Sequence, residues 1–226
     1  MKFGVIGAGI VGQALAAKLA ELNHEVMIGT RNVAVTLART ELGVYGNPPF
    51  RAWSEQHPQI QVDTFAQTAA WGEILLNAIV GDVSVEVLQT IGADLLNGKI
   101  LIDVVQPSGG MPSSLLGANI SYSLGEQIQR TFPQVKVVKA LNSTSLRLMV
   151  NPRQVADGDH HTFVCGNDAQ AKTQVIELLT RGFGWKHVID LGDITAARGT
   201  EMILPLWLEL SKTLQTALFN FKIVQE

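Results

Sequence analysis

Lys2-Phe3-Gly4-Val5-Ile6-Gly7-Ala8-Gly9-Ile10-Val11-Gly12 is a short apolar run that leads straight into a G-x-G-x-x-G spacing. Each glycine in that turn has a separate task. Gly7 lets the chain turn sharply out of a strand, Gly9 lets a pyrophosphate approach the backbone, and Gly12 lets the following helix pack close to the sheet. Ala14, Leu15, Ala17, Lys18, Leu19 and Leu22 continue the pattern with an apolar stripe at three- and four-residue spacing, so a helix follows the turn. Its first N–H groups lack intrahelical partners, and its dipole favours negative charge there. After Asn23-His24, the run Glu25 to Gly29 is short and apolar enough for a buried parallel strand. Strand, turn, helix and strand thus occur in the order a dinucleotide-binding unit requires. Gly7, Ala8, Gly9, Ile10, Val11 and Gly12 are its expected cofactor contacts.

The end of the second strand sets cofactor preference. A site selective for NAD ordinarily places Asp or Glu there to bond the ribose 2′-OH, whereas this chain has Thr30-Arg31-Asn32. A carboxylate would repel a 2′-phosphate; a guanidinium bonds it in a bidentate fork, and the Thr30 hydroxyl can donate to it. The expectation is NADP.

The chain has 226 residues, enough to bury a sizeable core. A net charge of −3 with 16% charged residues gives no footprint for nucleic acid and no basic face for a membrane. The N-terminal apolar run is broken by glycines and reads as a strand, not as a secretory signal. No apolar run reaches the length of a membrane span. The single cysteine, Cys165, excludes an intramolecular disulfide and suits a reducing, cytoplasmic setting; it reads as a small buried hydrophobe. With 46% hydrophobic residues and few charges, some apolar surface is expected to be hidden in a homodimer contact.

Further along, strand and helix patterns alternate. Val33 to Leu42 reads as a helix closed by Gly43, and Val44 to Pro58 as an ordered excursion with a short helix near Trp53 to His57. Ile60 to Val62 is a brief strand and Thr64 a helix cap. Glu73 to Val80 is a buried strand whose end, Ala78, Ile79 and Val80, should lie against the dinucleotide, because ligands bind beyond the carboxyl ends of such strands. Helix Val83 to Ile91, strand Ile100 to Asp103, a loop Val104 to Pro112, helix Ser123 to Thr131 and strand Lys136 to Lys139 follow. The fold class is α/β, a doubly wound, mostly parallel sheet. Residues 1–150 form the nucleotide-binding domain. Residues 151–226 add strands Thr162 to Cys165 and Val188 to Leu191, with a helix from Asp168 to Arg181 between them. A long apolar helix from Thr195 then follows, kinked or interrupted at Pro205, as an extension and not an independent unit. That helix is apolar nearly all round and must be buried by its own domain or by a second subunit.

Several constellations carry little. Asp157-Gly158-Asp159-His160-His161 has metal-ligand residue types at no standard spacing, so no metal site is expected. Ser108, Ser113 and Ser114 lie outside any nucleophile elbow. Reduction of a carbonyl or imine wants a proton donor, and only Lys139 and Asn142 stand at a suitable strand end. Transfer to a second redox ring needs only that two planar rings be positioned and shielded. The alternatives are a reductase of a small carbonyl or imine and a non-catalytic NADP-binding sensor.

The chain resembles the NADP oxidoreductases that use the deazaflavin coenzyme F420. The resemblance rests on Gly7 to Gly12, Gly29-Thr30-Arg31, Gly46-Asn47-Pro48-Pro49-Phe50, Ser123-Leu124-Gly125-Glu126-Gln127-Ile128-Gln129, Val138-Lys139-Ala140-Leu141-Asn142, Leu191-Gly192-Asp193-Ile194 and Ala197-Arg198-Gly199-Thr200-Glu201. It implies a Rossmann domain with a small C-terminal extension. It also implies direct hydride transfer between NADPH and the deazaflavin, or a flavin-like ring, without a catalytic acid. Carried over residue by residue, it places the dinucleotide on Ala8, Gly9, Ile10, Val11, Thr30 and Arg31, with Ile79, Val80 and Ala140 near the nicotinamide. Val35 stands where archaeal relatives have a further basic residue, and the loop beginning Gln106-Pro107 is shorter than theirs.

Overall fold

The computed structural model of the chain describes residues 1–43, 46–107 and 123–226. Up to the fifth strand the order is β1 (Lys2–Ile6), α1 (Ile10–Glu21), β2 (Glu25–Thr30), α2 (Val33–Leu37), α3 (Phe50–Gln56), β3 (Gln61–Thr64), α4 (Phe65–Trp71), β4 (Ile74–Asn77), α5 (Gly81–Ile91), α6 (Ala93–Leu96) and β5 (Ile100–Asp103). Then come α7 (Leu124–Thr131), β6 (Lys136–Ala140), α8 (Leu146–Val150), β7 (His161–Gly166), α9 (Ala169–Glu177), β8 (His187–Asp190) and α10 (Ala197–Leu214).

The strands form one eight-stranded sheet in the order β3-β2-β1-β4-β5-β6-β7-β8. Every neighbouring pair is parallel except β6 and β7. The central strands are short apolar runs because helices cover both faces. Alternation divides their side chains between two cores. Phe3, Val5, Leu76, Ile102, Val138 and Ala140 pack with Leu15 and Leu19 of α1 and Val175 of α9. Ile6, Leu75, Leu101 and Val137 pack with Ala69 of α4, Leu88 of α5 and Ile128 of α7. Burial of each Val, Leu, Ile or Phe among them contributes about 1.5–3 kcal/mol.

The ends of the elements have local causes. Thr64 accepts from Gln67 N and opens α4. Lys99 closes that helix by donating to the carbonyls of Ala69, Ala70 and Gly72, a cation at the negative end of the dipole. Ser123 and Glu126 form a reciprocal capping box on α7.

Four expectations need correction. The helix expected over Val33 to Leu42 is only α2, ending at Leu37, so Gly43 does not close it. The strand expected through Val80 ends at Asn77, and Ala78 to Val80 form the turn into α5. The helix expected through Arg181 is α9 up to Glu177 and then a π-helical turn, Leu178–Phe183, stopped by Gly184 at φ +86°. Across Pro205, α10 is uninterrupted, yet its buried residues are only Ala197 and Thr200. This chain covers its apolar side chains only in part: Ile203, Leu204, Trp207 and Leu210 are half-buried, Trp207 stacking on Phe219, whereas Met202, Leu206, Leu208 and Leu214 are exposed. Val44 and the loop and serine positions Ser108 to Pro112, Ser113 and Ser114 lie outside the described residues.

Candidate functional site: the carboxyl edge of the sheet

The glycine turn has the geometry its spacing predicts. Gly7 has φ +127°, a conformation that side chains rarely adopt, and a Cβ at Gly12 would stand 2.0 Å from the Gly7 carbonyl oxygen. A Cβ at Gly9 would meet nothing within 4 Å, so the space above that residue is open. Gly9 is the N-cap of α1 and provides no side-chain cap. The first N–H groups of a 12-residue helix are therefore left for an outside acceptor, which suits a pyrophosphate. Ala8, Ile10 and Val11 are half-buried around that opening.

At the end of β2, a cleft of about 550 Å³ is lined by Thr30, Arg31, Thr64, Phe65, Glu86 and Thr90, among others. Arg31 is exposed on its rim. Thr30 is buried, and its hydroxyl lies 2.7 Å from that of Thr36. Asn32 caps α2, its side-chain oxygen accepting from Val35 N at 3.0 Å. Of the three cofactor-binding positions expected at the end of β2, Thr30 and Asn32 thus already have oxygens engaged in shaping the turn. The Arg31 guanidinium is the cationic group that lines the cleft, with Glu86 as its acidic counterpart.

Beyond β4, β5 and β6 three chain ends converge. A Cβ at Gly81 would lie 2.4 Å from the Gln106 carbonyl oxygen, so the turn after β4 abuts the chain leaving β5. The Gln106 side-chain amide donates to the Asn142 carbonyl at 2.7 Å and to that of Thr200 at 3.2 Å, joining both to the end of β6 and the start of α10. Ile79 is half-buried there, and Val80 is exposed. Ala140 is fully buried and Leu141, also buried, has φ +61°, a costly conformation for a leucine.

Beneath this edge lies a polar row that sequence reading missed. Asn77, Asp103, Lys139 and Cys165 are register partners on successive strands β4 to β7. Asn77 donates to Ser84 Oγ at 2.7 Å and to Asp103 Oδ1 at 2.9 Å. Lys139 Nζ lies 2.9 Å from Asp103 Oδ2 and 2.8 Å from Glu201 Oε1, and also donates to the Val105 carbonyl. Burial pulls the Lys139 ammonium down, but the charges of Asp103 and Glu201 outweigh it and leave its pKa above the ordinary value. Glu201 also accepts from the N–H groups of Leu124 and Gly125, and Arg198 grips Glu126 through two contacts of 2.6 Å. That grip, with the Ser123 cap, holds the buried Glu126 carboxyl down at about 2. The first turn of α10 is thus locked onto α7 and β6. The separate sequence signals were a lysine at a strand end and an acidic residue in Arg-Gly-Thr-Glu; their pairing is visible only in the fold.

The other candidates are engaged elsewhere. Among the described residues, no group of three or more His, Cys, Asp or Glu side chains could hold a metal. His160 bonds the Pro152 carbonyl at 2.8 Å and the Asn220 amide at 2.8 Å, and His161 accepts from Ile223 N at 3.2 Å. The Asp157 to His161 stretch therefore fastens the C-terminal tail. Burial pushes the Cys165 thiol up to about 12, so it behaves as a small hydrophobe. No helix among the described residues is long and apolar enough to cross a membrane.

A doubly wound sheet with this turn and cleft is a dinucleotide-binding protein of the Rossmann class. Residues 2–107 match the family model for coenzyme F420-dependent NADP oxidoreductases. A crystal structure of a candidate F420-dependent NADP-reductase from Arthrobacter sp. FB24 is 51% identical and superposes with a TM-score of 0.91 over 100% of both chains. The chain belongs to the coenzyme F420-dependent NADP oxidoreductase family and is an NADP-dependent oxidoreductase. The F420-dependent NADP reductase of Methanocaldococcus jannaschii is 26% identical over 93% of this chain and 92% of its own. The rat metalloreductase STEAP3 is 29% identical over 91% of this chain. This chain matches only 38% of STEAP3 and 41% of the human and mouse STEAP2 metalloreductases.

Proposed function

We propose that the protein passes a hydride between NADP(H) and a deazaflavin, coenzyme F420, or a flavin-like ring, without a catalytic acid. The observation that carries this reading is the state of Lys139. The ammonium is fully buried, with Asp103, Glu201 and the Val105 carbonyl around it, so it is committed to the scaffold and turned away from any ligand above the sheet edge. In this reading the phosphates lie on Ala8 to Val11, the 2′-phosphate on Arg31, and the nicotinamide near Ala78, Ile79, Val80 and Ala140. In that reaction a hydride would pass from the dihydronicotinamide C4 to C5 of a deazaflavin or to N5 of a flavin, and N1 of the acceptor ring would take a proton from water. The chain's own part is to hold the two rings at contact distance and to exclude solvent.

The same reading makes the enzyme a homodimer joined through the exposed apolar residues of α10, with residues 151–226 working as part of the nucleotide-binding domain. The test is NADPH carrying deuterium at C4, incubated with the protein and either F420 or FMN. Deuterium is expected at C5 of reduced F420; with FMN, whose N5–H exchanges with water, bleaching of the flavin with a deuterium isotope effect is expected instead. Turnover of neither ring, alongside reduction of a small imine or ketone, would overturn the proposal.

A further inference from the structure

Three buried polar atoms around the convergence of β5 and β6 lack a hydrogen-bond partner among the described residues: Thr144 Oγ1, Ser145 Oγ and Gln106 Oε1. Buried polar groups are nearly always paired, and three such atoms in one neighbourhood call for a partner. The local fold holds them there without supplying one. Ser145 is the N-cap residue of α8, where a serine usually caps, yet its hydroxyl makes no cap bond. Thr144 is only 8% exposed. The Gln106 amide nitrogen already donates to the Asn142 and Thr200 carbonyls; those two acceptors fix which end of the amide is which, and they leave its oxygen facing elsewhere.

The turn that carries these hydroxyls is itself held under strain. Leu141 sits at φ +61° and redirects the chain from β6 towards α8, whose Leu146 and Val150 pack into the α1 core. The hydroxyls therefore stand at the carboxyl edge, on the turn between β6 and α8.

We propose that Thr144, Ser145 and Gln106 form a subsite that reads the amide or imide edge of a planar ring. Two hydroxyls can donate to ring carbonyl oxygens, and one amide oxygen can accept from an N–H. All three groups are neutral, so the set suits an uncharged edge and not a phosphate. The pyrimidine half of a deazaflavin or flavin has a carbonyl, N–H, carbonyl edge, the complement of that set. The nicotinamide carboxamide offers the same amide chemistry with one carbonyl. This inference rests on the hydride-transfer reading above for the identity of the second ring.

The experiment uses the full chain, with Thr144→Val, which keeps the side-chain shape, and Ser145→Ala, both checked for an unchanged melting curve. Each is expected to raise KM for F420 or FMN by up to about tenfold, with kcat and the NADPH dissociation constant held, the scale of one neutral hydrogen bond. A matching loss in NADPH affinity by fluorescence titration, with acceptor KM unchanged, would assign the same subsite to the carboxamide. If the wild-type protein reduces neither ring, the hydride-transfer reading falls, while the NADPH titration still tests the subsite. Wild-type KM and wild-type NADPH affinity in both folded variants would overturn the proposal and leave a bound water as the partner.

Discussion

Lys139 and Glu201 stand 2.8 Å apart, both largely buried, and this contact ties the central strand β6 to the first turn of α10. Because Asp103 shares the same ammonium, removing it would leave two buried carboxylates facing each other. Lys139→Met is expected to destabilise the fold by about 3–5 kcal/mol, the range for breaking a buried ion pair from one side. Urea unfolding measures that loss. Turnover per folded molecule should fall far less than the roughly 10² to 10⁴ expected for loss of a general acid. Intact stability with collapsed turnover would make Lys139 the proton donor.

Arg31 presents a cationic group to the cleft at the end of β2. Arg31→Ala is expected to weaken NADPH binding by about 1.5–3 kcal/mol, the scale of a charged hydrogen bond, and to leave NADH nearly unchanged. Calorimetric titration of both cofactors checks it, and equal losses would remove the 2′-phosphate from this residue.

The Arg198 grip on Glu126 makes part of the stability acid-sensitive. The carboxyl is held at about 2 in the fold against an ordinary value of 4.5. A depressed folded pKa contributes stability that is fully present above about 4.5 and drains away as pH falls towards about 2. Arg198→Met should therefore lower the urea midpoint at neutral pH and flatten its decline between those limits relative to the wild type. Parallel acid profiles would show that the pair adds nothing.

The exposed residues Met202, Leu206, Leu208 and Leu214 predict association through α10. Light scattering at micromolar concentration is expected to give twice the chain mass. The double variant Leu206→Glu, Leu208→Glu should give the single mass. A monomeric wild type would remove the dimer from the functional reading.

Much of the nucleotide half was legible because its signals are local. The glycine spacing, the apolar strands and the cap at Thr64 each act within a few residues. The Asn77, Asp103, Lys139 and Glu201 network was not legible, because register across the sheet joins residues far apart in sequence and makes polar positions into core. The length of α2 was misjudged because Val33 to Leu42 has helical composition, yet the chain leaves the helix after Leu37. α10 was expected under cover because its apolar pattern says only that something should pack on it, not that this chain supplies the cover. The orphan hydroxyls of Thr144 and Ser145 had no sequence signal, since serine and threonine before a helix ordinarily read as caps.

The antiparallel pairing of β6 with β7 has a consequence for how such a site can diversify. A parallel neighbour would oblige the chain to travel the full depth of the sheet before starting the next strand. Here β7 begins near the level where β6 ends, so the connection through α8 stays at the rim that borders the proposed acceptor subsite. Residues can be gained, lost or exchanged along that connection without re-registering any strand. Acceptor preference can therefore drift over generations in this one stretch, while the nucleotide end, bound into glycine geometry and strand order, stays fixed.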